Sequence, residues 1–160
     1  MGKTKRITTK KLVQGAMIAA IYATLTIALS PISYGPMQAR ISEALTVLPA
    51  LTPAAVPGLA VGCLVSNIIG PYGAADMIFG SAATLIAAFC SYKLRARLWL
   101  VPMPPVIANG LIIGGMLHFV YGVPDLAACM GWIALGELIV CYVLGYPLLK
   151  LLKKYEYIFE

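Results

Sequence analysis

Six ionisable side chains lie within or at the edges of long uncharged runs: Arg40, Glu43, Asp76, His118, Asp125 and Glu137, with the amides Asn67 and Asn109 among them. Carboxylates and a histidine could move protons as acid and base. Carboxylates, amides and a guanidinium could equally hold a small polar molecule by matching donors to acceptors. The chemistry absent from the chain narrows the choice. There is no G-x-x-x-x-G-K-[ST] phosphate loop, no H-E-x-x-H and no G-x-S-x-G elbow, so ATP hydrolysis by that route, metalloprotease chemistry and elbow-type acyl transfer have no residues to run on. The four cysteines, Cys63, Cys90, Cys129 and Cys141, stand singly in apolar surroundings without C-x-x-C spacing. They are expected to be buried as small hydrophobes, forming neither a metal site nor a disulfide. An acid–base enzyme built on Glu43, His118 and Glu137 would lack any further catalytic constellation, and capture of a small polar ligand fits the set better than catalysis.

Each polar residue also has a structural explanation. Asp76 and Asp125 precede apolar runs where a helix N-cap is expected, and a carboxylate there would satisfy free backbone N–H groups and meet the positive end of the helix dipole. Arg40 and Glu43, three residues apart, could neutralise each other on one helix. His118 reads either as an interfacial histidine or as a ligand contact. Tyr34, Tyr72, Tyr121 and Trp132 fit an aromatic belt at the outer interface. Glu137 is the exception: it follows Gly136 and precedes Leu138-Ile139-Val140, with no basic residue within a turn and no cap to form. A carboxylate at that depth requires a donor from another helix, a proton or a ligand.

The elements that must position these residues follow from composition. Of 160 residues 61% are hydrophobic and 11% charged, and the mean hydropathy is +0.88. Soluble domains carry about a quarter charged residues, so the chain is read as an all-α integral membrane protein. At about 20 residues per crossing, a single transmembrane domain over 1–160 leaves no space for a soluble catalytic domain. Helices are predicted at about 12–30, 41–52, 54–70, 76–92, 102–121 and 127–149. The second and third are short because Pro49, Pro53 and Pro57 punctuate the run. The net charge of +6 would suggest nucleic acid in a soluble protein, but no aromatics interleave with the basic runs. The basic residues gather instead before the first run (Lys3, Lys5, Arg6, Lys10, Lys11), between later runs (Lys93, Arg95, Arg97) and at the end (Lys150, Lys153, Lys154). A six-helix bundle with both termini cytoplasmic, its second and third helices either crossing and returning or dipping in as a hairpin from one side, places all three clusters on one side, as the positive-inside bias requires, where anionic membrane lipid would attract them. No removable signal peptide is expected.

The first helix carries two parallel rows of small residues at spacing four: Gly15, Ala19 and Ala23, and beside them Ala16, Ala20, Thr24 and Ala28. Such rows let another helix approach the backbone closely, which is how helices associate in lipid. That other helix could belong to this bundle or to a separate protein.

Several segments together resemble the QueT family of queuosine precursor transporters. They are Ala39-Arg-Ile-Ser-Glu-Ala-Leu-Thr-Val-Leu-Pro49; Ala55-Val-Pro-Gly-Leu59 with Gly62-Cys63 and Asn67; Asp76-Met-Ile-Phe-Gly80 with Ala83-Thr-Leu85; and Gly136-Glu-Leu-Ile-Val-Cys-Tyr-Val-Leu-Gly-Tyr-Pro-Leu148. They fall in order over nearly the whole chain, and within 98–131 only Pro105-Val-Ile-Ala-Asn-Gly matches the general run. The resemblance implies a substrate-binding S component of an energy-coupling factor transporter, a vitamin-uptake system of the bacterial cell membrane. Such a subunit would take its substrate from outside. It would associate, through the helix 1 face of Gly15, Ala16, Ala19, Ala20 and Ala23, with a membrane coupling subunit and two cytoplasmic ATPases. It would have no cofactor of its own, since ATP would be hydrolysed by those partners.

The ligand implied is a deazaguanine-type base or queuine. A guanine-like edge presents two adjacent N–H donors beside a carbonyl, so Glu137 or Glu43 would accept from the donors while Asn109, Asn67 or Arg40 donates to the carbonyl. Phe79, Tyr34, Tyr72, His118 and Trp132 are candidate walls for the flat ring, and Asp76 or Asp125 candidate partners for an aminomethyl cation. An autonomous proton-coupled carrier with Glu137 as the proton group is the alternative.

Overall fold

The computed structural model describes residues 9–35 and 38–159; Lys3, Lys5 and Arg6 of the first basic cluster lie outside them. All regular structure among the described residues is helical. The chain runs through α1 (Thr9–Ala28), the single turn α2 (Ser30–Ser33), a 3-10 helix Ile41–Ala50, α3 (Ala55–Ile69), α4 (Gly73–Lys93) and α5 (Met103–Phe119). It continues through α6 (Leu126–Leu138), a π-helical stretch Ile139–Gly145 and α7 (Tyr146–Lys153) to a short 3-10 turn, Glu156–Ile158. Among the described residues four segments are long and apolar enough to cross a membrane: Thr9–Ala28, Gly73–Lys93, Leu98–Phe119 and Leu126–Lys153. The shorter apolar helices are Ile41–Ala50 and Ala55–Ile69.

The distribution of side chains is inverted relative to a soluble protein. Large apolar residues such as Phe119, Ile78, Leu12 and Ile69 face outward, while Thr26, Ser42, Glu43, Thr46, Asn67, Asp76, Asn109 and Glu137 are buried. Hydrocarbon outside and polar groups turned inward is the arrangement that lipid imposes, because an unpaired polar group facing acyl chains costs several kcal/mol. The chain is therefore a membrane protein.

Two local departures from α-helical geometry and one close helix crossing shape the bundle around the polar residues. The first is the 3-10 helix. Pro49 inside it has no N–H to donate, and with three residues per turn Glu43, Thr46 and Pro49 align on one face. All but Ile41 and Leu45 of its ten residues are buried; it is packed against α1, α4 and the π-helical stretch. The second is that stretch itself, which begins two residues after Glu137. Pro147 at the start of α7 cannot bond to the carbonyl four residues before it, and the turn that precedes it is π-helical. The third is the α1–α3 crossing. A Cβ on Gly58 would stand 2.6 Å from the Gly15 carbonyl oxygen, and one on Gly62 would stand 2.8 Å from that of Ala19. The two backbones meet without intervening side chains, the small-residue contact expected in lipid.

That crossing divides the small residues of α1. Ala23 is buried and Gly15 and Ala19 are half-buried towards α3, whereas Ala16, Ala20, Thr24 and Ala28 are exposed. An open apolar groove of about 480 Å³ runs beside the crossing, lined among others by Lys11, Gly15, Ala16, Pro53, Pro57 and Val61.

Candidate functional site

The site begins with Arg40, which ends the extended segment before the 3-10 helix. Its guanidinium is 5% exposed and its donors are committed. Nη2 donates to Asp76 Oδ2 at 2.9 Å and to Gln38 Oε1 at 3.4 Å. Nη1 donates to Asn67 Oδ1 at 3.1 Å and approaches Cys63 Sγ at 3.7 Å. Asn67 in turn donates Nδ2 to the Asp76 carbonyl at 2.8 Å. One cation thus ties the loop after α2 to α3 and α4, and its charge is met by a carboxylate with good geometry, as a buried ion requires.

Two expectations from sequence are corrected here. Asp76 does not cap a helix: α4 already starts at Gly73, so Asp76 lies within its first turn and is turned onto Arg40. Arg40 and Glu43 do not neutralise each other by helical spacing, because Arg40 precedes the helix in extended conformation; Glu43 bonds to Tyr22 of α1 instead. Asp125, by contrast, is an N-cap, its Oδ1 accepting from the Ala128 N–H at 3.1 Å.

The second half of the site is carboxylate-rich. The Tyr22 hydroxyl donates to Glu43 Oε1. Asn109 Nδ2 donates to Glu137 Oε1 at 2.9 Å, and the Cys141 thiol lies 3.5 Å from Glu137 Oε2. Glu137 thus receives the donor from another helix that its depth requires. Gln38, Arg40, Glu43, Gly80, Asn109, Ile113, Ile133 and Glu137 together surround a cavity of about 10 Å³, room for about one water-sized sphere. Gly80 keeps the α4 wall open, since a Cβ there would meet Asn67 Nδ2 at 2.5 Å and Asp76 Oδ1 at 3.0 Å. Within this cluster Gln38 Nε2, Glu43 Oε2 and Asp76 Oδ1 are buried without a hydrogen-bond partner.

The structure brings Arg40, Glu43, Asn67, Asp76, Asn109 and Glu137 together, six residues that span residues 40 to 137. Tyr34 adjoins them: its ring centroid is 5.4 Å from the Arg40 guanidinium carbon, and its hydroxyl donates to the Ser66 carbonyl at 2.7 Å. Burial raises this phenol above its ordinary value, with Arg40 pulling the other way. Tyr72 packs against Tyr34 at 6.3 Å and Tyr121 against Tyr72 at 5.7 Å, an aromatic tier beside the ion pair.

Phe79, His118 and Trp132 are not among the residues surrounding the cavity. Phe79 and Trp132 point outward, 41% and 55% exposed. His118 bonds through Nδ1 to the Val123 carbonyl at 2.8 Å and stacks edge-on with Phe119, which fastens the turn after α5. Two residues escape a reading of the sequence: Gln38 on the cavity wall and Tyr22, which bonds to Glu43. Tyr22 looks like one more aromatic on an apolar helix, and its burial is its only signal. Gln38 lies in a loop with no periodicity, although a lone amide two residues before a membrane-embedded arginine was available as a sign. Among the described residues no group of histidine, cysteine and carboxylate side chains is arranged to hold a metal ion, and all four cysteines are free.

Comparison with known proteins gives a consistent picture. A family model described as QueT transporter matches residues 12–154. The chain is 36% identical over 84 residues to the queuosine precursor transporter QueT of Lactococcus lactis subsp. cremoris (strain MG1363). That alignment covers 51% of this chain and 49% of the relative, so the match spans about half the length of the curated relative. No solved structure matches.

Proposed function

The chain belongs to the QueT transporter family, a family of transporters and not of enzymes, and from that premise we propose that it is the substrate-capturing membrane subunit of a transporter for queuosine precursors. In this reading it crosses the bacterial cell membrane six times with both ends in the cytoplasm. It takes a deazaguanine-type base or queuine from outside and delivers it inward with a coupling module of separate subunits, a membrane protein and two ATPases. The chain itself needs no cofactor. The observation that carries the reading is the buried cluster of Glu43, Asn109 and Glu137 around a cavity in an otherwise apolar bundle. Carboxylates and an amide are the groups that a guanine-like edge pairs with, and the Lactococcus lactis relative, a queuosine precursor transporter, supplies the ligand class.

The roles divide along the geometry. Glu43 and Glu137 accept from the N–H donors of the base. Arg40, Asn67 and Asp76, bonded chiefly to one another, brace the wall. Tyr34 adds an aromatic surface beside them. A bicyclic base exceeds the present cavity, so the side chains around it separate when ligand enters. The exposed row of Ala16 and Ala20, with the groove beside the α1–α3 crossing, is the surface offered to the coupling protein. Gly15, Ala19 and Ala23 hold α1 at the spacing that shapes it.

Uptake of a labelled deazaguanine by cells expressing the chain tests this function. Accumulation that requires the ATPase subunits supports it. Accumulation that survives their loss and collapses with the proton gradient favours instead an autonomous carrier working through the buried Glu137. No accumulation in either background overturns both.

A further inference from the structure

Among the polar side chains surrounding the cavity, almost every hydrogen-bonding group is already engaged. The Arg40 donors serve Asn67, Asp76 and Gln38. The Asn109 amide serves Glu137, and both Glu137 oxygens have neighbours, Asn109 and the Cys141 thiol. Two atoms remain. Gln38 Nε2 is a donor and Glu43 Oε2 an acceptor; neither has a partner, and their residues are 3% and 1% exposed. A buried polar atom left unpaired costs about 1–3 kcal/mol, so two of opposite kind beside one cavity mark the place where a ligand would complete the bonding.

The orientation of the Gln38 amide is set by its surroundings. An amide can be turned end for end, but here Oε1 accepts from Arg40 Nη2, which leaves the NH₂ as the free end. The reversed amide would set two sets of N–H donors against each other. The backbone also holds the residue in place. Gln38 has φ of 42°, a left-handed conformation rare outside glycine and costly for a long side chain. It is pinned by hydrogen bonds from its N–H to the Gly35 carbonyl at 2.9 Å and from the Arg40 N–H to its own carbonyl at 2.8 Å.

We infer that Gln38 is a specificity-determining residue of this site, donating its Nε2 to the oxo group of a guanine-type base while Glu43 Oε2 accepts from the adjacent ring N–H. The inference rests on the proposed function and goes beyond it by assigning the carbonyl of the base to a residue outside the membrane helices. Arg40 and Asn67 are thereby released from that role. It also makes the site selective: exchanging the oxo group for an amino group sets two donors face to face, and an unpaired buried donor is what lets a site reject an analogue.

Equilibrium binding to the purified full chain tests it with two probes, 7-deazaguanine and 2,6-diamino-7-deazapurine, on wild type, Gln38→Glu and Gln38→Met. Wild type is expected to prefer the oxo probe by at least tenfold. Gln38→Glu, which replaces the free donor by an acceptor, reduces that preference tenfold or more or reverses it; Gln38→Met reduces it by weakening the oxo probe alone, the remainder being held by Glu43, which meets a ring N–H only in the oxo probe. Thermal unfolding of each variant verifies the fold, and the Met variant serves if the Glu variant does not fold. Equal loss for both probes in the variants, or an unchanged preference, overturns the role of Gln38 while the proposed function stands. A folded wild-type chain that binds neither probe overturns the proposed function and this inference with it.

Discussion

Arg40 and Asp76, thirty-six residues apart in sequence, form an ion pair at 2.9 Å whose side chains are 5% and 1% exposed. The pair joins the loop entering the 3-10 helix to the first turn of α4, and Asn67 of α3 bonds to both partners. It is the brace against which the carboxylate half of the site is built.

Removing one member should therefore damage the fold more than removing both. Asp76→Asn leaves the guanidinium buried without a counter-charge, which costs about 3–5 kcal/mol. The double variant Arg40→Met with Asp76→Leu should recover much of that loss, because well-packed apolar replacements of buried ion pairs are often neutral or better. Thermal unfolding of the purified chain in one detergent measures both. A single variant as stable as wild type would show that the pair is not a brace.

The α1–α3 crossing predicts opposite outcomes for neighbouring small residues. Gly58→Ala drives a Cβ to 2.6 Å from the Gly15 carbonyl oxygen, an overpacking worth about 1–3 kcal/mol, and folded yield should fall. Ala20→Leu, on the exposed row, should leave yield and ligand binding intact while co-purification of the coupling subunit is lost. If Ala20→Leu retains the partner, the exposed row is not its docking face.

Asn109 is the donor that makes a deep carboxylate at Glu137 tolerable. Asn109→Leu strands that oxygen, and a cost of about 1–3 kcal/mol is expected. Pairing it with Glu137→Leu should restore stability without restoring ligand binding. Unfolding and binding measured on the same preparations separate the two effects.

Phe79→Ala and Trp132→Ala should leave the affinity for a deazaguanine within about twofold, since exposed substitutions away from buried features change energies by about 0.5 kcal/mol or less, and so should His118→Ala, whose half-buried ring bonds to the Val123 carbonyl and is not among the residues around the cavity. A tenfold loss in any of them would move the site outward from the present cavity.

What could be read from sequence depended on how far each signal reached along the chain. Glu137 stood out because one carboxylate in an apolar run has no local explanation, and the structure supplies the distant donor that it required. The helices were legible from uncharged runs, with α4 starting at Gly73, three residues before its predicted start. That small shift is what turns Asp76 from a cap into an ion-pair partner. The Arg40–Glu43 spacing suggested a pair only on the assumption of a continuous helix, and the extended backbone at Arg40 removes it. The 3-10 geometry of Ile41–Ala50 and the π-helical turn before Pro147 arise from tertiary packing around two prolines, which a period in the sequence cannot encode. Gln38 belongs to a loop without periodicity, where its nearness to Arg40 is the one sign that distinguishes a buried amide from a solvated one.

The central claim, that the buried cluster holds a deazaguanine-type base, is tested most directly by equilibrium binding of labelled 7-deazaguanine to the purified chain alone, for wild type and for Glu43→Gln and Glu137→Gln. Saturable one-to-one binding by wild type, with affinity reduced at least tenfold in each folded variant, is the result predicted here. Binding that is unchanged in both variants, or its absence from the folded wild-type chain, would contradict it.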